Sequence, residues 1–218
     1  MHIRRRVPLP GPEVRAGLSG VLVSHAHRDH LDVPSLASLE VDGPVLVPRG
    51  SGRIVQGALP GAEVHELTAG DRFTVGDVEV LATEADHDGR RIPVGRPVPA
   101  LGFVIEGTER IYFAGDTDVF AGMERLGHVD VALLPVWGWG KTVPAGHLDP
   151  PRAARAAALI RPDLALPIHW GTYASPGAWL SDPSWPAREF ERLAAQQAPG
   201  VEVCVLEPGQ AWWSGPAS

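Results

Sequence analysis

The chain is poor in the residues that usually announce a simple function. Its one cysteine, Cys204, cannot form an internal disulfide and cannot build a Cys-rich metal site, so any cation must be held by histidine and carboxylate. Lysine is almost absent. Of 19 basic residues only Lys141 is a lysine, and the net charge of −7 removes the basic face that a general nucleic-acid binder needs. No apolar run approaches the roughly 18 residues of a membrane span, so no integral membrane segment is expected. The opening "MHIRRRVPLPGPEV" is basic but has no apolar stretch of the kind a secretory signal requires, which makes a cytoplasmic location the expectation. Internal repeats, heptads and low-complexity linkers are lacking too. With 44% hydrophobic and 21% charged residues over 218 positions, a single globular domain spanning 1–218 is expected.

What is present is a series of short β-type runs. "GVLVSH" (20–25), "PVLVP" (44–48), "AEVHEL" (62–67), "DRFTV" and "VEVLATEA" around Gly76-Asp77, "LGFVIEG" and "RIYFAGD" are Val- and Ile-rich and bounded by Gly, Pro or Asp. Helical patterns are fewer. They cover 32–40, starting at Asp and Pro, 149–160 with Asp149 as N-cap, and 184–197, where Pro186 fits only in the first turn. The order reads as a meander to residue 115 and as βαβ afterwards, through "VDVALLPV", the 150s helix and "DLALPIH". That pattern suits two facing sheets with helices outside, an α/β (α+β) architecture.

One stretch stands apart. "VLVSHAHRDHLD" places His25, His27, Asp29 and His30 directly behind a strand. Side chains two apart on a strand point the same way, so His25 and His27 can grip one ion while the following turn carries Asp29 and His30 to another side. Such spacing can serve two cations about 3.5–4 Å apart. Four residues cannot close two coordination shells, and further donors occur where strands end: His87 after "VEVLATEAD", Asp116 after "RIYFAGD" and His169 after "DLALPIH".

These residues resemble the metallo-β-lactamase fold hydrolases. "HAHRDH", the "AGDT" aspartate and the "PIHWGTY" histidine look like that superfamily's successive metal motifs. "SHAHRDHLDVPSL", "FAGDTD" and "GHLDPPRAARAA" are similar to the branch of ascorbate-6-phosphate lactonase and N-acyl-phosphatidylethanolamine phospholipase D types. The resemblance implies a four-layer αββα sandwich holding two divalent ions, zinc first and manganese or iron as fits. It implies His25, His27 and His87 on one ion, Asp29, His30 and His169 on the other, and Asp116 bridging them. It also implies a strand pair before the basic, Pro-rich stretch at which this chain begins. Either the first sheet is short at its edge or the start lies upstream, and an uncovered edge would favour a homo-oligomer.

The implied chemistry is hydrolysis of a small-molecule ester, lactone or phosphodiester by a hydroxide bridging the two cations. A diiron oxygen reductase would want a carboxylate at His27, a true β-lactamase other ligands, and an RNA-processing member a basic arm or large insertions. The rival reading is a non-catalytic metal-binding sensor or scaffold of the same fold. The loop "PVWGWGKTVPAGHLDPP" (135–151) is the candidate substrate wall. There His147 is a general acid, an oxyanion donor or a helix-entry histidine; Lys141 is a catalytic point charge for phosphate or carboxylate, or a solvated loop residue. Trp137, Trp139 and Trp170 are pocket or core. Asp32, Asp88 and Asp118 are candidates to orient imidazoles, or caps and loop carboxylates, whereas His2, His65 and His128 are assigned to structure or solvent.

Overall fold

The computed structural model describes residues 4–92, 94–138, 142–174 and 182–215, to which every structural statement here refers. Lys141, Trp139 and His2 fall outside the described residues.

Strands β2 (Val21–Leu22), β3 (Val45–Pro48) and β4 (Val64–Leu67) form a parallel sheet, with α1 (Val33–Leu36) and α2 (Gly52–Ala58) as crossovers. This corrects the meander expected to residue 115. The signal lies in β3, "VLVP", which is buried at all four positions. Val45 and Val47 face α1 and α2, while Leu46 faces the other way, as a parallel strand covered on both sides requires. The crossover α2 was absent from the expected helices because "GRIVQGA" carries two glycines and a β-branched pair, a weak helix former in isolation.

The second sheet has seven strands. Here β5 (Arg72–Val75), β6 (Val78–Asp88), β7 (Pro99–Glu106) and β8 (Arg110–Phe113) run as the expected meander. Beyond β8 lie β9 (Val131–Pro135), β10 (Leu164–Ile168) and β12 (Glu202–Val203), all parallel, with α3 (Pro150–Ile160) crossing between β9 and β10. Asp149 caps α3 by accepting from the Arg152 N–H at 2.9 Å, as its sequence position implied. Four buried alanines, Ala153, Ala154, Ala156 and Ala157, let α3 lie close to the sheet and to α4 (Trp185–Gln197).

The layers follow from which way each strand's residues point. Leu46 and Leu67 of the small sheet meet Val80, Ala82, Leu101 and Phe103 of the large one, each full burial contributing about 1.5–3 kcal/mol for the larger side chains. On the opposite face Val104, Tyr112, Ala132 and Leu134 pack against α3 and α4. The result is helix, sheet, sheet, helix: the αββα sandwich. The first sheet counts three strands among the described residues, and β1 (Arg4–Arg5) pairs instead with β11 (Tyr173–Ala174) beside the His169 loop. Over β8–β10 the inner face is covered by the chain after β12, where Leu206 and Trp212 pack on Val131, Leu164 and Leu166.

Candidate metal centre

The donors meet at one edge of the sandwich because β2, β6, β8 and β10 all point their C-terminal ends there. Past β2 the chain leaves regular structure at once. His25 is fully buried, and Ser24 lends its carbonyl to the Leu101 N–H (2.8 Å), stitching the loop to the large sheet. His87 lies near the end of β6, where the register with β7 breaks between Glu84 and Asp88 and frees the chain to turn inward. Asp116 follows β8 across Gly115, whose φ of +62° no β-carbon tolerates well and whose added Cβ would sit 2.7 Å from Ser24 Cβ. His169 comes directly after β10 with φ +64°, a left-handed backbone on a non-glycine residue of the kind that concentrates at functional sites.

Three histidines form one group: His25 Nε2 and His87 Nε2 lie 2.9 and 3.1 Å from His27 Nδ1. In a second group, His30 Nε2 is 3.2 Å from His169 Nε2, and Asp29 Oδ2 is 3.8 Å from both. Asp116 stands between them. Its Oδ2 is 3.1 Å from His30 Nε2 and 3.8 Å from His25 Nε2, and its Oδ1 is 3.5 Å from His169 Nε2. Each triad has its donor atoms within 4.8 Å of one another.

Backbone carbonyls set the ring orientations. His87 donates Nδ1–H to Gly146 O at 2.7 Å and His169 donates Nδ1–H to Trp137 O at 2.6 Å. In the neutral ring, which carries one proton, this leaves Nε2 as the atom that His87 and His169 turn toward the centre. Asp116 Oδ1 is buried without a hydrogen-bond partner. Ring nitrogens clustered about 3 Å apart beside an orphaned carboxylate oxygen are what a cation site requires, so the residues fit divalent metal ions. Imidazole and carboxylate together suit zinc, manganese or iron.

The electrostatics divide the rings. Burial pushes His25 down to about 2, with His30 adding to the effect, and burial likewise pushes His87 down to about 4; His27 is lowered mainly by burial. These rings stay neutral and able to coordinate. His169 is raised against its burial, by Asp116, Asp29 and the Trp137 carbonyl. Asp116 is held well below the carboxylate range: burial opposes this, but His169 and His30 prevail.

The other candidates separate cleanly. His147 reaches the site: its Nε2 is 3.5 Å from Asp116 Oδ2 and its ring meets His87 edge-on at 4.5 Å. Arg152 donates to the His147 carbonyl (3.0 Å) and to Asp118 (3.2 Å), so Asp118 belongs to the surrounding network. Asp32 instead caps α1 through the Ser35 N–H, and Asp88 pairs with Arg90 on the surface. Trp170 is core, buried and donating Nε1–H to Pro167 O, which corrects the option of a pocket wall. Trp137 packs edge-on against Trp185, a contact no sequence signal indicated. The carbonyls of Gly146 and Trp137 were also missed, since every residue has one. His65 pairs with Glu63 and His128 with Asp130 and Asp163, away from the donors.

Known proteins of the same pattern exist. Residues 2–170 match the family described as the beta-lactamase superfamily domain. A UPF0173 metal-dependent hydrolase of Methanopyrus kandleri is 33% identical over 202 residues, covering 88% of this chain and 80% of that protein. A second, from Desulfitobacterium hafniense, is 31% identical over 92% of this chain and 83% of its own length. Among solved structures, a metallo hydrolase of Ignicoccus hospitalis superposes with TM-score 0.64 at 26% identity, covering 88% of this chain and 77% of that one. A possible metal-dependent hydrolase of Veillonella parvula shares the fold with TM-score 0.69 at 15% identity, over 93% and 79% of the two chains. Layers, strand-end donors and sequence likeness converge, and the chain belongs to the metallo-β-lactamase fold superfamily.

Proposed function

We propose that this chain is a dinuclear-metal hydrolase acting on a small-molecule ester, lactone or phosphodiester. The observation that carries the reading is the convergence of seven donors from four strand ends, grouped in triads whose ligand atoms lie within 4.8 Å of one another, around the buried, unpartnered Asp116 Oδ1. His25, His27 and His87 would hold one cation and Asp29, His30 and His169 the other, with Asp116 placed to serve both. When bound, a pair of divalent cations supplies the Lewis acidity that makes water a nucleophile at neutral pH and polarises the bond under attack. The names of the relatives as metal-dependent hydrolases support the reaction class.

The chain's own residues do the rest. Gly146 and Trp137 keep His87 and His169 in the tautomer that presents Nε2. His147, at 17% side-chain exposure and 3.5 Å from Asp116, borders both the solvent side and the donors, where it can hand a proton to a leaving oxygen. Lys141, in the same connection, is proposed as the charge that meets a phosphate or carboxylate of the substrate.

The test is metal analysis of purified protein followed by turnover of bis-nitrophenyl phosphate, a nitrophenyl ester and a lactone, with and without chelator. Close to two metal equivalents and chelator-sensitive turnover of one substrate class are expected. Full metal loading with no turnover across the panel would instead favour a metal-binding sensor or scaffold.

A further inference from the structure

Four donors sit in the six residues from His25 to His30, a stretch without helix or strand. What keeps it in one conformation is a short set of backbone bonds. The Ala26 N–H donates to Gly89 O at 3.2 Å, and the His30 and Leu31 N–H groups return to His27 O at 3.2 and 2.8 Å. Two carbonyls, those of Ala26 and Leu31, belong to residues only 0% and 1% exposed, so they need donors from within the protein. Both are met by one side chain. Arg91 Nη1 donates to Ala26 O at 3.1 Å and to Leu31 O at 2.8 Å, bridging segments about sixty residues apart in sequence.

We propose that Arg91 is a positioning residue of the metal centre, its guanidinium clamping both ends of the ligand loop so that His27, Asp29 and His30 are held at fixed spacing. The inference rests on the reading of those residues as cation ligands. Ala26 and Leu31 bracket all three, so a group bonded to both carbonyls fixes the span between them. A guanidinium is well matched to this role because it is planar, keeps its charge, and loses less side-chain freedom per bond formed than an ammonium on a flexible stem. The charged groups facing it are Arg28 and Asp32, one repelling and one attracting. Arg91 also opens the segment in which Ile92 and Val94 stand exposed, so the clamp ties that surface segment to the ligands beneath it.

Arg91→Met keeps the stem and removes the donors; Arg91→Gln keeps an amide too short to reach both carbonyls. Each variant is prepared metal-free, checked by circular dichroism and a melting curve, then titrated with Co²⁺ by visible absorption and with Zn²⁺ against a chromophoric chelator. Arg91→Met is expected to fold, to lose about 10- to 100-fold in Zn²⁺ affinity and to change the Co²⁺ ligand-field bands, with Arg91→Gln between it and the wild type. A folded Arg91→Met with wild-type affinity and bands overturns the proposal. If that variant does not fold, Arg91→Gln decides on the same two readouts, and failure of both to fold also overturns it, since Arg91 would then support the fold rather than the ligands. Absence of Co²⁺ and Zn²⁺ binding by the wild type would sink the ligand reading itself instead.

Discussion

The seven donors come in two kinds, and the contrast between them explains the site. His25, His27, Asp29 and His30 are neighbours in sequence on an irregular loop; His87, Asp116 and His169 are far apart in sequence, each at a strand end. The loop donors owe their proximity to covalent bonds and their exact aim to a few hydrogen bonds. For the strand-end donors the reverse holds, because sheet register delivers them and left-handed backbone at Gly115 and His169 turns them inward. A site built this way joins a loop half to a strand-end half, and Asp116 is where they meet.

Removing that meeting point should have the largest effect. Asp116→Ala is expected to lower metal content toward zero for both cations and to cost about 4 kcal/mol of transition-state stabilisation, roughly a thousandfold in kcat/KM. His27→Ala, on the loop side, should leave the Asp29–His30–His169 cation bound. Equal loss of both cations in the two variants would erase the distinction between the halves.

Acid should strike the buried histidines next. His25 at about 2 and His87 at about 4 lie below the value near 6.5 of the unfolded chain. Between these limits the unfolded state binds more protons, so their contribution is complete above pH 6.5 and is lost as pH falls toward 4, on the order of 3 kcal/mol for His25 alone. His169, raised, acts oppositely: its contribution is present below 6.5 and fades as pH rises through its own value. The melting temperature of metal-free protein should therefore drop between pH 6.5 and 4. A flat profile would mean that the histidines are not held neutral by burial.

The smallest effect probes the turn that delivers Asp116, where it packs on the start of the ligand loop at Ser24. Gly115→Ala places a Cβ 2.7 Å from Ser24 Cβ and 2.8 Å from Leu101 O at φ +62°, costing about 2 kcal/mol, or roughly 4–8 °C in Tm, by calorimetry. An unchanged Tm would show that the turn before Asp116 accommodates a Cβ and does not require glycine.

The same contrast governs what could be read in the chain beforehand. The loop donors were legible because contiguous histidines have no ordinary structural use, and His87, Asp116 and His169 were legible because strand ends are where sites gather. The parallel order of β2, β3 and β4 was not, since strands of two to four residues joined by a Gly-containing helix carry little directional signal. Nor were the carbonyls of Gly146 and Trp137, or the partition of Asp32, Asp88 and Asp118 between cap, surface pair and site network.

By itself the sequence determined the chemistry available: imidazole and carboxylate without thiol, carried on Val- and Ile-rich strands that must bury both faces of at least one sheet. Only the tertiary structure decided which donor atoms lie together, which ring nitrogen each histidine turns toward the others, and that Arg91 meets the carbonyls of Ala26 and Leu31. The reason is physical. Side-chain type and periodicity are local properties of the chain, whereas ring orientation and carbonyl pairing arise from contacts between segments dozens of residues apart, and those exist only once the two sheets have packed.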